Sequence, residues 1–303
     1  MLLASVELGG TKTIAAIGHD PVSPLASVRI DTRGPAETLD DVEAFFRRSR
    51  AAHGTPVALG IASFGPVILD RDAADWGRIA DTPKPGWRGA DIARRLGRAL
   101  DCPVAIDTDV GAAVLAEARL GAGQGCDPLV YLTVGTGIGG GLYVAGQAVR
   151  GLLHPEMGHM LLRRHPDDAY PGGCPYHGDC VEGLASGPSI VARYGVAAGE
   201  LPGDHPFRAI LADYLGQLCA VIVLVASPER ILIGGGVMEG TATRGSPLHE
   251  DIADAMRGRL GGYIDARQIG RSGLVARPVL ADAGLVGGFV LARMLVEQGA
   301  EAR

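Results

Sequence analysis

The sequence predicts an α/β protein built from two related domains, and two observations support this. Apolar segments of strand length alternate with amphipathic segments of helix length along the 303 residues, as is typical of α/β proteins. A unit of apolar strand, glycine-threonine turn and second apolar strand opens the chain and returns about one domain later. We therefore expect two domains of related topology that face each other across a cleft.

The first half of the chain contains the elements of one domain. Residues 2–18, LLASVELGGTKTIAAIG, predict two strands joined by a Gly-Gly turn. A helix is predicted over 36–52, with Thr38 or Asp40 as its cap. The next predicted elements are a buried strand over 56–63, a helix over 91–100, a strand over 103–107 and a helix over 109–120.

The second half repeats the opening pattern. Residues 129–146, LVYLTVGTGIGGGLYVAG, again predict strand, turn and strand, and a third glycine turn follows a strand in 229–237. A helix leads from 203–213 through Val225, and another closes the chain over 285–298. We place the first domain at 1–115, with the C-terminal helix 285–303 packed back on it, and the second at 116–284.

Composition excludes several classes of protein. The net charge of −6, without a basic block, argues against a nucleic-acid-binding surface. The N-terminal residues MLLASVELGG do not have the pattern of a signal peptide, and the longest uninterrupted apolar run, 219–226, is too short to cross a bilayer. Five cysteines without an export signal predict a protein of the reducing cytoplasm.

Lysine usage singles out two positions. Of the 28 basic residues only Lys12 and Lys84 are lysines, a bias for which a GC-rich genome is the simplest explanation. Both lie inside motif-like segments, GGTK and TPKPGW, and an arginine replaces the compact ammonium group poorly. We therefore expect these two lysines to have functional roles.

The three glycine turns are candidate phosphate-binding elements. Backbone N–H groups that glycine leaves open can surround phosphate oxygens, although a single such turn is more often only a tight hairpin. Neither a P-loop nor a strand–GxGxxG–helix motif is present, because the first two turns lead into strands. If a nucleotide binds, we expect hairpins from two domains to hold it.

The segment Asp107-Thr108-Asp109 ends a buried strand, where ligands collect in α/β proteins. A carboxylate there is placed to accept the proton of an attacking hydroxyl group. The residues equally allow Asp109 to be only the cap of the helix that follows.

The segment CPYHGDC, residues 174–180, is a candidate metal site. Cys174, His177 and Cys180 offer two thiolates and one imidazole, a donor set that suits structural zinc. The alternatives are a disulfide, which a reducing compartment disfavours, or unrelated thiols. For the fourth ligand, His154, His159 and His165 compete. A metal here stabilises a turn-rich loop that has little apolar surface to bury.

The ordered motifs together resemble a known family. Two glycine-threonine turns, DTDV, HPEMGH, CPYHGDC, EGLASG and GGGV occur in the order found in the ROK family of bacterial sugar kinases. ASFGP, TPKPGW and RRHPDD make the chain similar to the fructokinase branch of that family. The likeness extends over nearly the whole chain. It implies a two-domain actin-like ATPase (ribonuclease H-like) fold, an active-site cleft between the domains, and a homodimer.

The resemblance also implies an activity and roles for individual residues. The activity is phosphorylation of fructose at its 6-hydroxyl by MgATP, with Asp109 as general base. Glu7 matches the acid that holds magnesium through water. His159, Cys174, His177 and Cys180 match a structural zinc site. The implied nucleotide-binding residues are Glu7, Gly9, Gly10, Thr11, Lys12, Thr133, Gly135, Thr136, Gly137, Pro188, Gly234, Gly235, Gly236 and Met238. The implied substrate-binding residues are Thr108, Glu156, His159 and Glu182.

The chain departs from the family pattern next to the base. ROK members commonly read N-D-x-N there, whereas this chain has Thr108 and Gly111 in place of the two asparagines. The resemblance assigns no role to Lys84. Alternatives to a fructokinase are a kinase for mannose, glucose or an N-acetylhexosamine, a sugar-responsive repressor and a non-catalytic sugar-binding protein. The start of the first phosphate motif at Val6 argues against the repressor, because it leaves no room for a DNA-binding domain.

Overall fold

The computed structural model describes residues 1–241, 248–270 and 273–301, and these residues form two compact units. Unit 1 comprises Met1–Leu120, Gln147–His154 and the chain from Leu280 onward, and unit 2 comprises Gly121–Gly146 and Pro155–Val279. The predicted ranges differ chiefly in the segment Gln147–His154, which belongs to unit 1 although its neighbours in sequence belong to unit 2. The last two residues of the predicted C-terminal range lie outside the described residues.

The elements alternate as the sequence predicts. The strands are β1 (Leu3–Leu8), β2 (Lys12–Gly18), β3 (Ala26–Asp31), β4 (Leu59–Ser63), β5 (Val104–Thr108), β6 (Leu129–Val134), β7 (Ile138–Val144), β8 (Gln147–Ala148), β9 (Arg230–Gly234) and β10 (Val275–Ala276). The α-helices are α1 (Pro35–His53), α2 (Ile92–Leu100), α3 (Asp109–Leu120), α4 (Val181–Ala185), α5 (Gly187–Tyr194), α6 (Phe207–Ala226), α7 (Gly236–Gly240), α8 (Leu248–Leu260), α9 (Ala266–Ile269) and α10 (Ala283–Glu301).

The two units share one strand arrangement. In unit 1 the sheet order is β3-β2-β1-β4-β5, with β1 and β2 antiparallel and β4 parallel to β1. In unit 2, β6 and β7 form the antiparallel hairpin and β9 lies parallel to β6. A hairpin followed by a parallel strand on its first member therefore occurs twice. This arrangement confirms the predicted α/β fold with an internal repeat.

Close packing of α10 fixes the position of α3 in unit 1. Helix α10 lies against α3, β1 and β4, and glycines make the close approach possible. A Cβ atom on Gly287 would lie 2.1 Å from the carbonyl oxygen of Ala112, and one on Gly60 would lie 1.7 Å from that of Gly288. Because no side chain fits at either contact, α10 lies directly against β4 and against the helix that begins at Asp109.

The predicted caps of α1 are wrong. Gly34 occupies the N-cap position and Pro35 begins the helix, so proline supplies the preformed backbone angle of a first helical residue. Thr38 lies inside the helix, where its hydroxyl oxygen accepts a hydrogen bond of 2.9 Å from the N–H of Arg33.

Helix α6 is long and apolar enough to span a membrane, with a mean hydropathy of 2.1 in its most apolar window. The prediction that no apolar segment is long enough to cross a bilayer considered only the run 219–226 and is wrong about length, because the helix extends past Gly216 and Gln217 to Phe207. The window is 67% buried, and α6 packs against α8 in the core of unit 2. Such burial is that of a core helix, so the segment is weak evidence for a membrane span.

Candidate active site

The first glycine turn joins β1 to β2 and presents open N–H groups. The N–H of Gly9 donates to the carbonyl oxygen of Lys12 over 2.9 Å, and the carbonyl oxygens of Gly9 and Thr11 accept from Thr32. Within the described part of the chain, the N–H groups of Gly10 and Thr11 donate to no protein acceptor. Two uncommitted donors on a tightly held turn are what an anion-binding turn requires.

Glu7, on β1 just before this turn, is a partly buried acid. Its Oε2 is buried and has no hydrogen-bond partner among the described residues. Burial raises the pKa of its carboxyl group, against the opposing effect of Lys12. The ammonium of Lys12 lies 3.7 Å from a carboxylate oxygen of Asp282. A buried carboxylate oxygen without a partner suits a bound cation or its water shell.

The second glycine turn, between β6 and β7, is built in the same way. The N–H of Gly135 donates to the carbonyl oxygen of Gly137 over 2.9 Å, while its own carbonyl accepts from Gly187 over 2.7 Å. The N–H groups of Thr136 and Gly137 have no acceptor in the described residues. A carboxylate oxygen of Glu182 accepts from the N–H of Ile138 over 2.8 Å and so fixes the far side of the turn.

The third glycine turn lies directly against the second one in unit 2. Gly235 has a φ of 99°, and a Cβ atom on it would lie 2.5 Å from the carbonyl oxygen of Val134 and 2.8 Å from Oγ1 of Thr133. Only glycine fits this position, for conformational and steric reasons together. Pro188 stands in the first turn of α5, beside the second glycine turn. Met238 is only 5% exposed and packs in the core of unit 2.

Thr108, and not Asp109, caps the helix at the end of β5. The hydroxyl oxygen of Thr108 accepts a hydrogen bond of 2.9 Å from the N–H of Gly111, three residues on, which is the position an N-cap residue serves. The carboxylate of Asp109 accepts from the adjacent N–H of Val110 over 2.8 Å. The cap therefore does not depend on Asp109, and this favours a chemical role for its carboxylate.

A buried ion pair between Arg150 and Asp107 lies next to Asp109 in the sequence and was not predicted. Arg150 donates through Nη2 and Nε to one carboxylate oxygen of Asp107, at 2.7 and 3.2 Å. Asp107 is 1% exposed, and burial raises the pKa of its carboxyl group in spite of this arginine. The other oxygen accepts from the N–H of Thr108 over 2.7 Å. Because the partners are 43 residues apart in the sequence, no local sequence pattern predicts this ion pair.

The same ion pair explains the glycine at position 111. A Cβ atom on Gly111 would lie 2.4 Å from Oδ1 of Asp107 and 2.9 Å from Oγ1 of Thr108. Glycine at position 111 therefore leaves room for the carboxylate of Asp107 and for the hydroxyl of Thr108 that caps the helix.

Gly111→Ala is expected to destabilise the protein by about 1–3 kcal/mol, because the new methyl group displaces Asp107 or Thr108. The matched control is Gly258→Ala in α8, where a Cβ atom meets nothing within 4 Å. That variant is expected to gain about 0.5–1 kcal/mol from helix propensity. Urea unfolding of both variants measures the difference, and a Gly111→Ala protein as stable as the control contradicts the steric argument.

The four predicted ligand residues of the metal loop come together in unit 2. Ligand atoms of His159, Cys174, His177 and Cys180 all lie within 4.8 Å of one another. Both cysteines are buried, free thiols. Of the three histidines that competed for the fourth place, His159 occupies it. His165 is engaged elsewhere, where its Nδ1 accepts from the N–H of Asp167 over 3.2 Å.

Three of the six separations among these ligand atoms are those of a tetrahedral ion. Nδ1 of His159 lies 3.7 Å from the sulfur of Cys174 and 3.6 Å from that of Cys180, and Nδ1 of His177 lies 3.7 Å from the sulfur of Cys174. Zinc bonds of about 2.3 Å to sulfur and about 2.0–2.1 Å to nitrogen, at tetrahedral angles, separate the ligand atoms by about 3.6 Å. The donor set and the distances therefore suit zinc.

The loop is preformed by its own backbone and by a neighbouring ion pair. Cys174 and Gly178 exchange two backbone hydrogen bonds of 2.9 and 3.1 Å, which close the turn that carries His177. The guanidinium of Arg164 lies 3.4 Å from Asp179 and also donates to the carbonyl oxygens of Asp168 and Tyr170, which precede the loop. The loop is therefore held by its own hydrogen bonds and by one neighbouring ion pair.

The predicted substrate-binding residues lie in both units. Thr108 belongs to unit 1, as does the predicted base Asp109, and Glu156, His159 and Glu182 belong to unit 2. Glu156 is exposed and directly precedes the short 3-10 helix that carries His159. Glu182 has one carboxylate oxygen committed to the second glycine turn. His159 has Nδ1 in the Cys/His cluster, so one imidazole ring belongs to both predicted sets.

Comparison with known proteins identifies the family. The model of the ROK family matches residues 3–294. A fructokinase of Zymomonas mobilis is 42% identical over 95% of each chain, and a fructokinase of Pediococcus pentosaceus is 34% identical over 97% of this chain and 98% of its own. The crystal structure of a ROK hexokinase from Thermus thermophilus is 30% identical, covers 99% of this chain and 100% of its own, and has a TM-score of 0.79. The chain belongs to the ROK family, as the sequence motifs predicted.

Proposed function

We propose that this protein is an ATP-dependent fructokinase that transfers the γ-phosphoryl group of ATP to the 6-hydroxyl of fructose. The products are fructose 6-phosphate and ADP. The observation that carries the proposal is the 42% identity to a fructokinase over 95% of both chains. The open N–H groups of the two glycine turns and the strand-end carboxylate of Asp109 support it independently.

In this proposal Asp109 accepts the proton of the 6-hydroxyl as that oxygen attacks phosphorus. The P–O bond to ADP breaks while the new bond to the sugar oxygen forms, and ADP leaves with the charge of the broken bond. Asp109 suits the role because Thr108 caps the helix in its place. Thr108, Glu156, His159 and Glu182 are the residues that we propose hold the sugar.

The phosphate groups are proposed to bind the open N–H groups of Gly10 and Thr11 in unit 1 and of Thr136 and Gly137 in unit 2. Lys12 adds positive charge, and Glu7 is the residue proposed to hold magnesium through water. When bound, magnesium neutralises the charge that develops on the phosphate oxygens. The turn at Gly234, Gly235 and Gly236 is proposed to receive the adenosine, with Pro188 beside it.

His159, Cys174, His177 and Cys180 are proposed to hold a structural zinc ion. Four protein ligands fill a tetrahedral site, so this ion has no open position for a substrate. The ion would fix His159 and, through Cys180, the start of helix α4, which carries Glu182. We also propose a homodimer, by analogy with ROK kinases, and a cytoplasmic location, where its five free cysteines stay reduced.

A coupled assay of ADP release tests the proposed function with fructose, mannose, glucose and N-acetylmannosamine side by side. We expect the kcat/KM for fructose to exceed the others by at least about tenfold, which corresponds to about 1.4 kcal/mol of transition-state binding. A larger kcat/KM for another hexose would overturn the substrate and leave the kinase assignment. No ADP release with any of the four sugars, in the presence of Mg2+ and Zn2+, would overturn the kinase assignment itself.

A further inference from the structure

Both lysines of the chain lie beside the first glycine turn. Lys12 begins β2 directly after the first glycine turn, and the ammonium of Lys84 donates a hydrogen bond to the carbonyl oxygen of Gly10 in that turn. Lys84 and Gly10 are 74 positions apart in the sequence. In a chain that otherwise uses arginine, both retained lysines therefore contact or belong to one short segment.

The loop that carries Lys84 is anchored firmly. Trp87 is fully buried, and its indole N–H donates to the carbonyl oxygen of Arg33 over 2.9 Å. The rings of Trp87 and Phe64 meet edge to face, with centroids 5.1 Å apart. The ammonium of Lys84 lies 5.4 Å from the centroid of Phe64, within the range of a cation–π contact. The lysine is thus held by its loop and by an aromatic ring beneath it.

The space around the Cα atom of Gly10 is open, because a Cβ atom there would meet no atom within 4 Å. A neighbouring group at the side-chain position therefore does not restrain this glycine. Glycine without such restraint rotates readily about its backbone bonds. The hydrogen bond from Lys84 restrains the carbonyl of Gly10 itself, and the bond of 2.9 Å from the N–H of Thr32 restrains the carbonyl of Thr11. The bonds of Gly9 to Lys12 and Thr32 hold the residue before them.

Holding the carbonyl of Gly10 also sets the direction of a donor. In a planar trans peptide, the C=O of one residue and the N–H of the next point in opposite directions. When Lys84 binds the carbonyl oxygen of Gly10, the N–H of Thr11 therefore points away from the ammonium. That N–H has no protein acceptor among the described residues.

We propose that Lys84 is a positioning residue for nucleotide phosphate binding, which acts by holding the Gly10–Thr11 peptide with its N–H turned toward the phosphate. The inference rests on the proposed function in that the first glycine turn must bind phosphate. It gives the TPKPGW segment a role on the nucleotide side, while the hexose contacts are assigned to other residues. Burial lowers the pKa of Lys84, yet its hydrogen bond to a carbonyl requires only that it remain a donor.

The test compares Lys84→Met, which keeps the length of the side chain, with Arg88→Met as the matched control. Arg88 is highly exposed in the same loop and pairs only loosely with Asp81, at 3.6 Å. For Lys84→Met we expect a KM for MgATP about tenfold higher, as loss of a hydrogen bond from a charged donor predicts. The KM for fructose should stay within about twofold, and Arg88→Met should match the wild type in both constants.

Calorimetric titration with ADP and a non-hydrolysable ATP analogue separates this inference from the proposed function. If the wild-type protein binds nucleotide but phosphorylates no hexose, the proposed function fails, and a weaker nucleotide affinity of Lys84→Met still supports the role of Lys84. Unchanged nucleotide affinity, or a change confined to the KM for fructose, overturns it. Lys84→Arg keeps a donor and the aromatic contact, so it should bind with intermediate affinity. Arginine binding as weakly as methionine also overturns the inference.

Discussion

Asp109→Asn is expected to lower kcat by about 10²–10⁴-fold, because the amide cannot accept the proton of the attacking hydroxyl. The KM values for fructose and MgATP should change little, since the asparagine side chain fills the same space. Stability should also be retained, because Thr108 makes the helix cap and an amide oxygen can still accept from the N–H of Val110. Steady-state kinetics with fructose and MgATP, together with thermal unfolding, measure these effects.

Asp101→Asn is the matched control for this substitution. Asp101 is an exposed aspartate in a left-handed conformation at the end of α2, where asparagine is tolerated as well as aspartate. Its kcat should equal that of the wild type. If Asp109→Asn retains more than about a tenth of the wild-type kcat, another group accepts the proton, and the assignment of Asp109 is wrong.

Loss of the metal site is the second change with a large expected effect. We expect the wild-type protein to contain one zinc ion per chain by elemental analysis, and Cys180→Ser to contain almost none. Because a structural zinc ion contributes folding free energy directly, the Tm should fall by about 10 °C or more. The KM for MgATP should rise as well, since Cys180 precedes the helix whose Glu182 holds the second glycine turn.

Cys126→Ser is the control for the metal site. Cys126 is a partly buried cysteine of unit 2 outside the Cys/His cluster, so its replacement should leave zinc content and KM unchanged. A Cys180→Ser protein with a full complement of zinc would contradict the ligand assignment. A wild-type protein purified without chelators that holds no stoichiometric metal would contradict the site as a whole.

Local patterns were enough to predict much of the fold. The hairpin with its glycine turn is a short-range signal, and both copies form where the sequence predicts them. The helix that begins at Asp109 and the strand before it are also short-range features. Helix α8 is absent from the sequence prediction, although its apolar residues are spaced four positions apart: Leu248, Ile252, Met256 and Leu260.

The parts of the site that depend on distant residues could not be predicted. CPYHGDC contains three candidate ligands within seven residues, and their spacing predicts a metal site. Only the fold shows which of three histidines, His159, joins them. The pairing of Arg150 with Asp107 depends on packing between residues that are 43 positions apart. The contact of Lys84 with Gly10 joins residues that are 74 positions apart in the sequence. The sequence also allows Asp109 to be the helix cap, and only the hydrogen bond of the Thr108 hydroxyl shows that Thr108 is the cap.

The most direct test of the central claim is to identify the product formed from fructose and MgATP by phosphorus NMR. The account predicts stoichiometric ADP and a single new phosphate monoester, at the 6-hydroxyl of fructose, which phosphoglucose isomerase converts to glucose 6-phosphate. Phosphorylation at the 1-hydroxyl, or ADP release without a sugar phosphate, would contradict it.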